Sequence, residues 1–134
     1  MNRIDLKPTP KTPGIILDDE ALLFEMTGIS RPENIRDLYP VLKTLEEFMA
    51  ELIDNPPSGD YLLKIKFKLD YFNSASAKFI ADIVLLADEY VKNDCNIKIL
   101  WYFPEDDNDM LEAGEYFAEI IDMPISFIAF TNEK

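Results

Sequence analysis

The 134-residue sequence predicts one α/β domain, a single mixed β-sheet of about five strands with three helices packed on one face, in the order β-β-α-β-α-β-α-β. Three observations predict it. The length suits one hydrophobic core, and 48% apolar with 12% aromatic residues can fill that core without a disulfide or a metal. Segments of period two alternate with segments of three- and four-residue period, and helices between strands imply right-handed crossovers and a partly parallel sheet. Finally, Tyr61 to Leu69 alternates Leu63, Ile65, Phe67 and Leu69 with Lys64, Lys66 and Lys68. A middle strand with ammonium groups on one face is buried on the other face only, so the helices share one side.

The elements follow in order. Residues 1–13 hold Pro8, Pro10 and Pro13 among Lys and Thr and read as an extended N-terminal arm. Gly14 to Asp18 is a short apolar strand, Asp18-Asp19-Glu20 a polar turn, and Leu22 to Thr27 a second strand, together an antiparallel hairpin. Gly28 to Asn34 is a loop. Leu38, Val41, Leu42, Leu45, Phe48, Met49 and Leu52 form a helical stripe, with Pro40 marking its start or a kink and Asn55-Pro56-Pro57 its end. After the lysine strand, Asn73-Ser74-Ala75-Ser76 opens a second helix whose stripe runs from Phe79 through Val91. Ile97 to Phe103 is the next strand, with Lys98 outward. A third helix spans about Asp109 to Ile121, and a last strand about Ser126 to Phe130. No internal repeat or linker divides the chain, so residues 1–134 read as a single domain.

Composition excludes several functions. Without histidine, the chain cannot carry Ser-His-Asp or Cys-His catalysis or histidine-ligated zinc. The lone cysteine, Cys95, cannot form an intrachain disulfide and has no cationic neighbour in sequence, which fits an inert thiol in a cytoplasmic protein. No apolar run approaches a membrane span, and the polar N-terminus lacks the apolar core of a signal peptide. A net charge of −13 repels nucleic acid and anionic membranes. The balance favours a protein that binds other proteins and needs no cofactor.

Three features could carry chemistry. Glu105 to Asp122 holds eight carboxylates and no lysine or arginine. Its Glu105-Asp106-Asp107-Asn108-Asp109 start tempts a calcium or magnesium reading, yet no register supplies the glycine of an EF-hand loop, and carboxylates at a helix start answer the helix dipole. Lys64, Lys66, Lys68 and Lys98 make a cationic sheet face, read as solvated and partly paired with Glu25. No glycine-rich phosphate loop is present. Asn73-Ser74-Ala75-Ser76 lies where a strand hands over to a helix. Asn and Ser there serve as helix caps, or a serine there serves as a phosphoacceptor whose phosphate meets the helix dipole and Lys78.

These residues also carry a resemblance. Arg31-Pro32-Glu33-Asn34, the segment Leu69 to Lys78, and Trp101-Tyr102 after the next strand resemble, in order and spacing, the SiaC-type regulatory phosphoproteins, relatives in fold of the STAS anti-sigma-factor antagonists. The resemblance runs from Lys11 to the last strand. It implies a STAS-like fold and a non-enzymatic protein phosphorylated by a serine/threonine protein kinase and restored by a PP2C-type phosphatase. It further implies that the unmodified form binds and activates a diguanylate cyclase, linking phosphorylation to cyclic-di-GMP and biofilm behaviour. By position Ser74 inherits the acceptor role, with Ser76 the nearby competitor and Asn73 shaping the helix start. Serine stands where the family carries threonine, and Ala75 replaces a hydroxyl residue. The expected partner surface is Tyr71, Phe72, Asn73 and Lys78, occluded on phosphorylation. The rivals are a constitutive interaction module, in which Ser74 is a plain cap, and a carboxylate metal-binding protein.

Overall fold

A computed structural model describes residues 1–131. Six strands form one sheet: β1 (Asn2–Leu6), β2 (Gly14–Asp18), β3 (Leu23–Ser30), β4 (Leu63–Phe72), β5 (Ile97–Pro104) and β6 (Ile125–Phe130). Three helices join the later strands: α1 (Tyr39–Asp54, entered through a 3₁₀ turn at Ile35–Leu38), α2 (Ser74–Lys92) and α3 (Asn108–Glu119). The strands lie in sequence order; β1–β2 and β2–β3 are antiparallel, and β3–β4, β4–β5 and β5–β6 are parallel. Three successive right-handed crossovers that step the same way across a sheet put all their helices on one face. The predicted class and layering therefore stand.

The sixth strand corrects the expectation of about five, and it lies inside the expected arm. Residues 2–6 pair antiparallel with β2. Ile4 is buried, while the Arg3 guanidinium donates to Asp19 at 2.9 Å and to both Glu51 oxygens at 2.7 and 2.9 Å and lies 4.8 Å from the centroid of Phe48. Its two apolar residues, Ile4 and Leu6, span a single repeat, and Leu6 is exposed, so the segment is too short for its period to be read. The strand is held by partners 16 and 48 residues away.

The helical stripes are as the periodicity predicts. Val41, Leu45, Phe48, Met49 and Leu52 of α1 and Phe79, Ile80, Ile83, Val84 and Ala87 of α2 are buried against the sheet. Pro40 sits in the first turn of α1, where its missing N–H is no loss. α3 approaches β5 closely at Gly114, where an added Cβ would lie 2.5 Å from Trp101 Cδ1, and Trp101 Nε1 donates to the Met110 carbonyl at 2.9 Å. Asp88 of α2 is a buried carboxylate. Its Oδ1 accepts the backbone N–H groups of Asp122 and Met123 at 3.2 and 2.8 Å, and Lys92 pairs with its other oxygen at 3.2 Å. On the opposite face Lys66 lies 3.8 Å from Glu25, the cross-strand pair expected from sequence. Among the described residues no helix is long and apolar enough to cross a membrane.

Candidate functional site

The parallel strands end together, so Ser30, Phe72, Pro104 and Phe130 and the starts of α2 and α3 form one edge of the sheet. β3 reaches that edge because it continues past its expected end at Thr27 to Ser30. Gly28, at φ +83°, carries it through a change of register: Gly28 pairs with Leu69 but Ile29 pairs with Tyr71, leaving Asp70 as an extra residue in β4. The bulge inverts the alternation beyond it. Tyr71, which strict period two would send into the core beside Leu69, is 50% exposed, and Phe72 turns to the helix side, its ring 6.2 Å from those of Trp101 and Phe117.

The start of α2 is pinned from β3. The Ser30 carbonyl accepts both the Asn73 N–H and the Ser76 hydroxyl, each at 3.0 Å. The Ser76 proton is thereby used, so its oxygen accepts the Ser30 hydroxyl at 2.7 Å. Ser30 and Ser76 are fully buried. Asn73 is the helix cap: its side-chain oxygen accepts the Ser76 N–H at 2.9 Å. Ser74, the first helical residue, is exposed, and its hydroxyl makes no hydrogen bond among the described residues.

The two serines are thus sorted by geometry. Ser74 is open to an enzyme at the edge; a kinase reaches Ser76 only by opening the first turn of α2. Of the expected surround, Tyr71 and Lys78 are exposed and Asn73 and Phe72 half-buried. Lys78 points to its own helix, pairing with Asp82 at 3.2 Å, while Asp82 accepts the Tyr39 hydroxyl at 2.7 Å. Burial and the neighbouring Asp82 carboxylate push the Tyr39 phenol up to about 12. A phosphate on Ser74 would draw Lys78 away from Asp82 before pairing with it. Ser30 was missed from sequence, since a serine at the end of a short strand carries no signal until its helix-side partner is known.

Beside Tyr71 and Phe72 lies an open cleft of about 280 Å³, completed by Asp70, Asp107, Asp109, Met110 and Ala113. Among the described residues no group of three or more metal-ligating side chains is arranged to hold an ion. Asp107 instead caps α3, accepting the Met110 N–H at 3.0 Å. Cys95 is buried beside Tyr61, 4.0 Å from its hydroxyl, and burial pushes its thiol up, away from the reactive thiolate.

The edge of this one-sided α/β sheet thus presents an accessible hydroxyl at the head of a capped helix beside the exposed Tyr71 ring, the layout of a regulatory α/β domain. Residues 6–130 match the profile of the SiaC family of regulatory phosphoproteins, and the chain belongs to that family. An uncharacterised protein of Pseudomonas aeruginosa (strain UCBPP-PA14) is 28% identical over 130 residues, covering 96% of this chain and 98% of its own. The crystal structure of apo-SiaC from Pseudomonas aeruginosa superposes with a TM-score of 0.80 at 28% identity, over 96% of this chain and 99% of that one. SiaC in the crystal structure of the diguanylate cyclase SiaD in complex with its activator SiaC, also from Pseudomonas aeruginosa, superposes at 0.83 with 27% identity, over 95% and 99% of the two chains.

Proposed function

We propose that this chain is a cytoplasmic, non-enzymatic switch protein that binds and activates a diguanylate cyclase when unphosphorylated and releases it when Ser74 is phosphorylated. A serine/threonine protein kinase adds the phosphate and a PP2C-type phosphatase removes it. The output is cyclic-di-GMP and, through it, biofilm behaviour. The observation that carries this reading is the division of labour at the head of α2: Asn73 caps the helix, leaving the Ser74 hydroxyl exposed and without a hydrogen-bond partner among the described residues. A serine that merely capped would occupy the position Asn73 holds, which supports a role for Ser74 other than capping. Membership of a phosphoprotein family, and the activator role named for a relative 27% identical, support the partner class.

The mechanism is local. A phosphoserine adds about −1.5 to −2 charges, little against a net −13 but large at one spot of the edge. Its three oxygens engage the free N–H groups at the start of α2 and draw on Lys78, while its bulk and charge stand where a partner would lie on Tyr71 and Phe72. The sheet supports a binding role for a further reason. Its parallel strands follow sequence order, so no reversal of order opens the crevice in which open α/β sheets usually hold substrates.

The test is calorimetric titration of the chain against the diguanylate cyclase encoded by the same organism, with the protein unmodified, phosphorylated, and as Ser74→Ala. The reading expects binding by the unmodified chain and Ser74→Ala, and at least tenfold weaker binding by the phosphorylated form. Equal affinity in all three states refutes the switch, and phosphate incorporation into Ser74→Ala by the cognate kinase refutes the residue.

A further inference from the structure

The sheet face opposite the helices concentrates cations on an otherwise strongly acidic molecule. Lys64, Lys66 and Lys68 alternate along β4, and Lys98 of β5 lies directly beside Lys64 in register. Two residues of strand rise about 6.6–6.8 Å, so the β4 row is about 13 Å long. Like charges side by side on neighbouring strands destabilise a sheet. Glu25 relieves Lys66, but among the described residues Lys64, Lys68 and Lys98 have no ion-pair partner. The row borders an apolar strip of Leu100, Tyr102, Ile128 and Phe130. Lys66 Nζ lies 5.3 Å from the Tyr102 ring centroid and Lys68 Nζ 4.8 Å from that of Phe130. The chain's own lysines thus cover both rings, which disfavours base stacking and leaves ammonium groups as the recognition element. A net charge of −13 also disfavours nucleic acid.

The complement of this face is on the same chain, on the other side of the sheet. Glu112, Glu115 and Glu119 of α3 are exposed and, among the described residues, unpaired. Their spacing puts them on one stripe about 10 Å long. Tyr116 stands within that stripe, 59% exposed, its ring 5.7 Å from that of Phe117 and otherwise open to a partner. We propose that the lysine face docks a second copy of this chain, receiving the Glu112–Glu119 stripe of α3 with Tyr116 against the Lys66 and Lys68 ammonium groups that cover Tyr102 and Phe130. Charge sign, stripe length and the exposed aromatic all match, and an intrachain contact is impossible because the sheet lies between the two surfaces. The contact is head-to-tail, so it adds copies in series. It uses the two broad faces of the layer and leaves the edge carrying Ser74 uncovered.

Sedimentation velocity of the full chain, from low micromolar to submillimolar concentration, tests the contact. At about 0.15 M salt the net repulsion is screened beyond about 8 Å while contacting pairs are not; at about 1 M the screening length falls to about 3 Å. The average mass is expected to rise with concentration at the lower salt and return to that of the monomer at the higher. Lys64→Glu with Lys98→Glu, and separately Glu112→Lys with Glu119→Lys, should each abolish association. All four sites are exposed, and circular dichroism checks folding; Lys64→Gln with Lys98→Gln replaces a pair that fails it. An equimolar mixture of the two reversed proteins restores complementary charge at both contacts, the acidic stripe of the first on the lysine face of the second and the reversed stripe of the second on the reversed face of the first, and should associate again. A wild-type chain that stays monomeric throughout overturns the proposal and leaves the face to an acidic segment of some other protein. Association that survives in both reversed variants overturns it equally.

Discussion

The separation of capping from signalling at the head of α2 can be measured without any partner. Asn73→Ala removes the oxygen that accepts the Ser76 N–H at 2.9 Å, exposing one of the unpaired donors at the helix start. Losing such a cap costs about 1 kcal/mol, within a range of about 0.5–2. For a domain of 134 residues that is about 3–4 °C in Tm. Ser74→Ala removes a hydroxyl that bonds to nothing among the described residues and installs the best helix former, so its stability should lie within about 0.5 kcal/mol of wild type. Ser76→Ala should cost about 1–2 kcal/mol, because it leaves the buried Ser30 hydroxyl without the acceptor it now finds at 2.7 Å. Urea denaturation of the four proteins, with m held common, ranks them. If Ser74→Ala loses as much as Asn73→Ala, Ser74 is a structural residue and the reasoning that frees it for modification fails.

Three further outcomes follow from the same geometry. Gly114→Ala should destabilise by about 1–3 kcal/mol and red-shift the emission of the single tryptophan, since its Cβ would fall 2.5 Å from Trp101 Cδ1 and 2.8 Å from Phe127 Cε1; unchanged fluorescence and Tm would contradict the close helix–sheet approach. Burial alone would raise the Asp88 carboxyl, but the N–H groups of Met123 and Asp122 and the Lys92 ammonium outweigh it and hold it below the ordinary carboxylate value. Its stabilisation is therefore present above the unfolded-state value near 3.9 and is lost as pH falls through the lower folded one. Asp88→Asn should accordingly flatten the acid limb of a stability–pH curve, and an unchanged limb would refute this. Cys95, 2% exposed with its thiol pushed up by burial, should react with a disulfide reagent only as fast as the chain opens; rapid labelling of native protein would show that the thiol is accessible.

The local periods of the chain determined a good deal by themselves. Alternation in Leu63 to Leu69 and the stripes beginning at Leu38 and Phe79 depend only on which side chains prefer water, so they specify elements and faces before any fold exists. The lysine row even located the helices, because four ammonium groups cannot be covered by an apolar helix face. The tertiary structure decided what depends on distant partners. Residues 2–6 became a strand because β2 offered a free edge and Asp19 and Glu51 met Arg3. Tyr71 turned outward because Gly28 and Asp70 shift the register of two strands far apart in sequence. Asn-Ser-Ala-Ser announced a helix start, but which residue would cap it, which would be buried and which would stay open was undecided there. That was settled when the end of β3 brought the Ser30 carbonyl and hydroxyl against Asn73 and Ser76. A hydroxyl is capable of any of these roles, and only the groups that the fold brings within hydrogen-bonding distance choose among them.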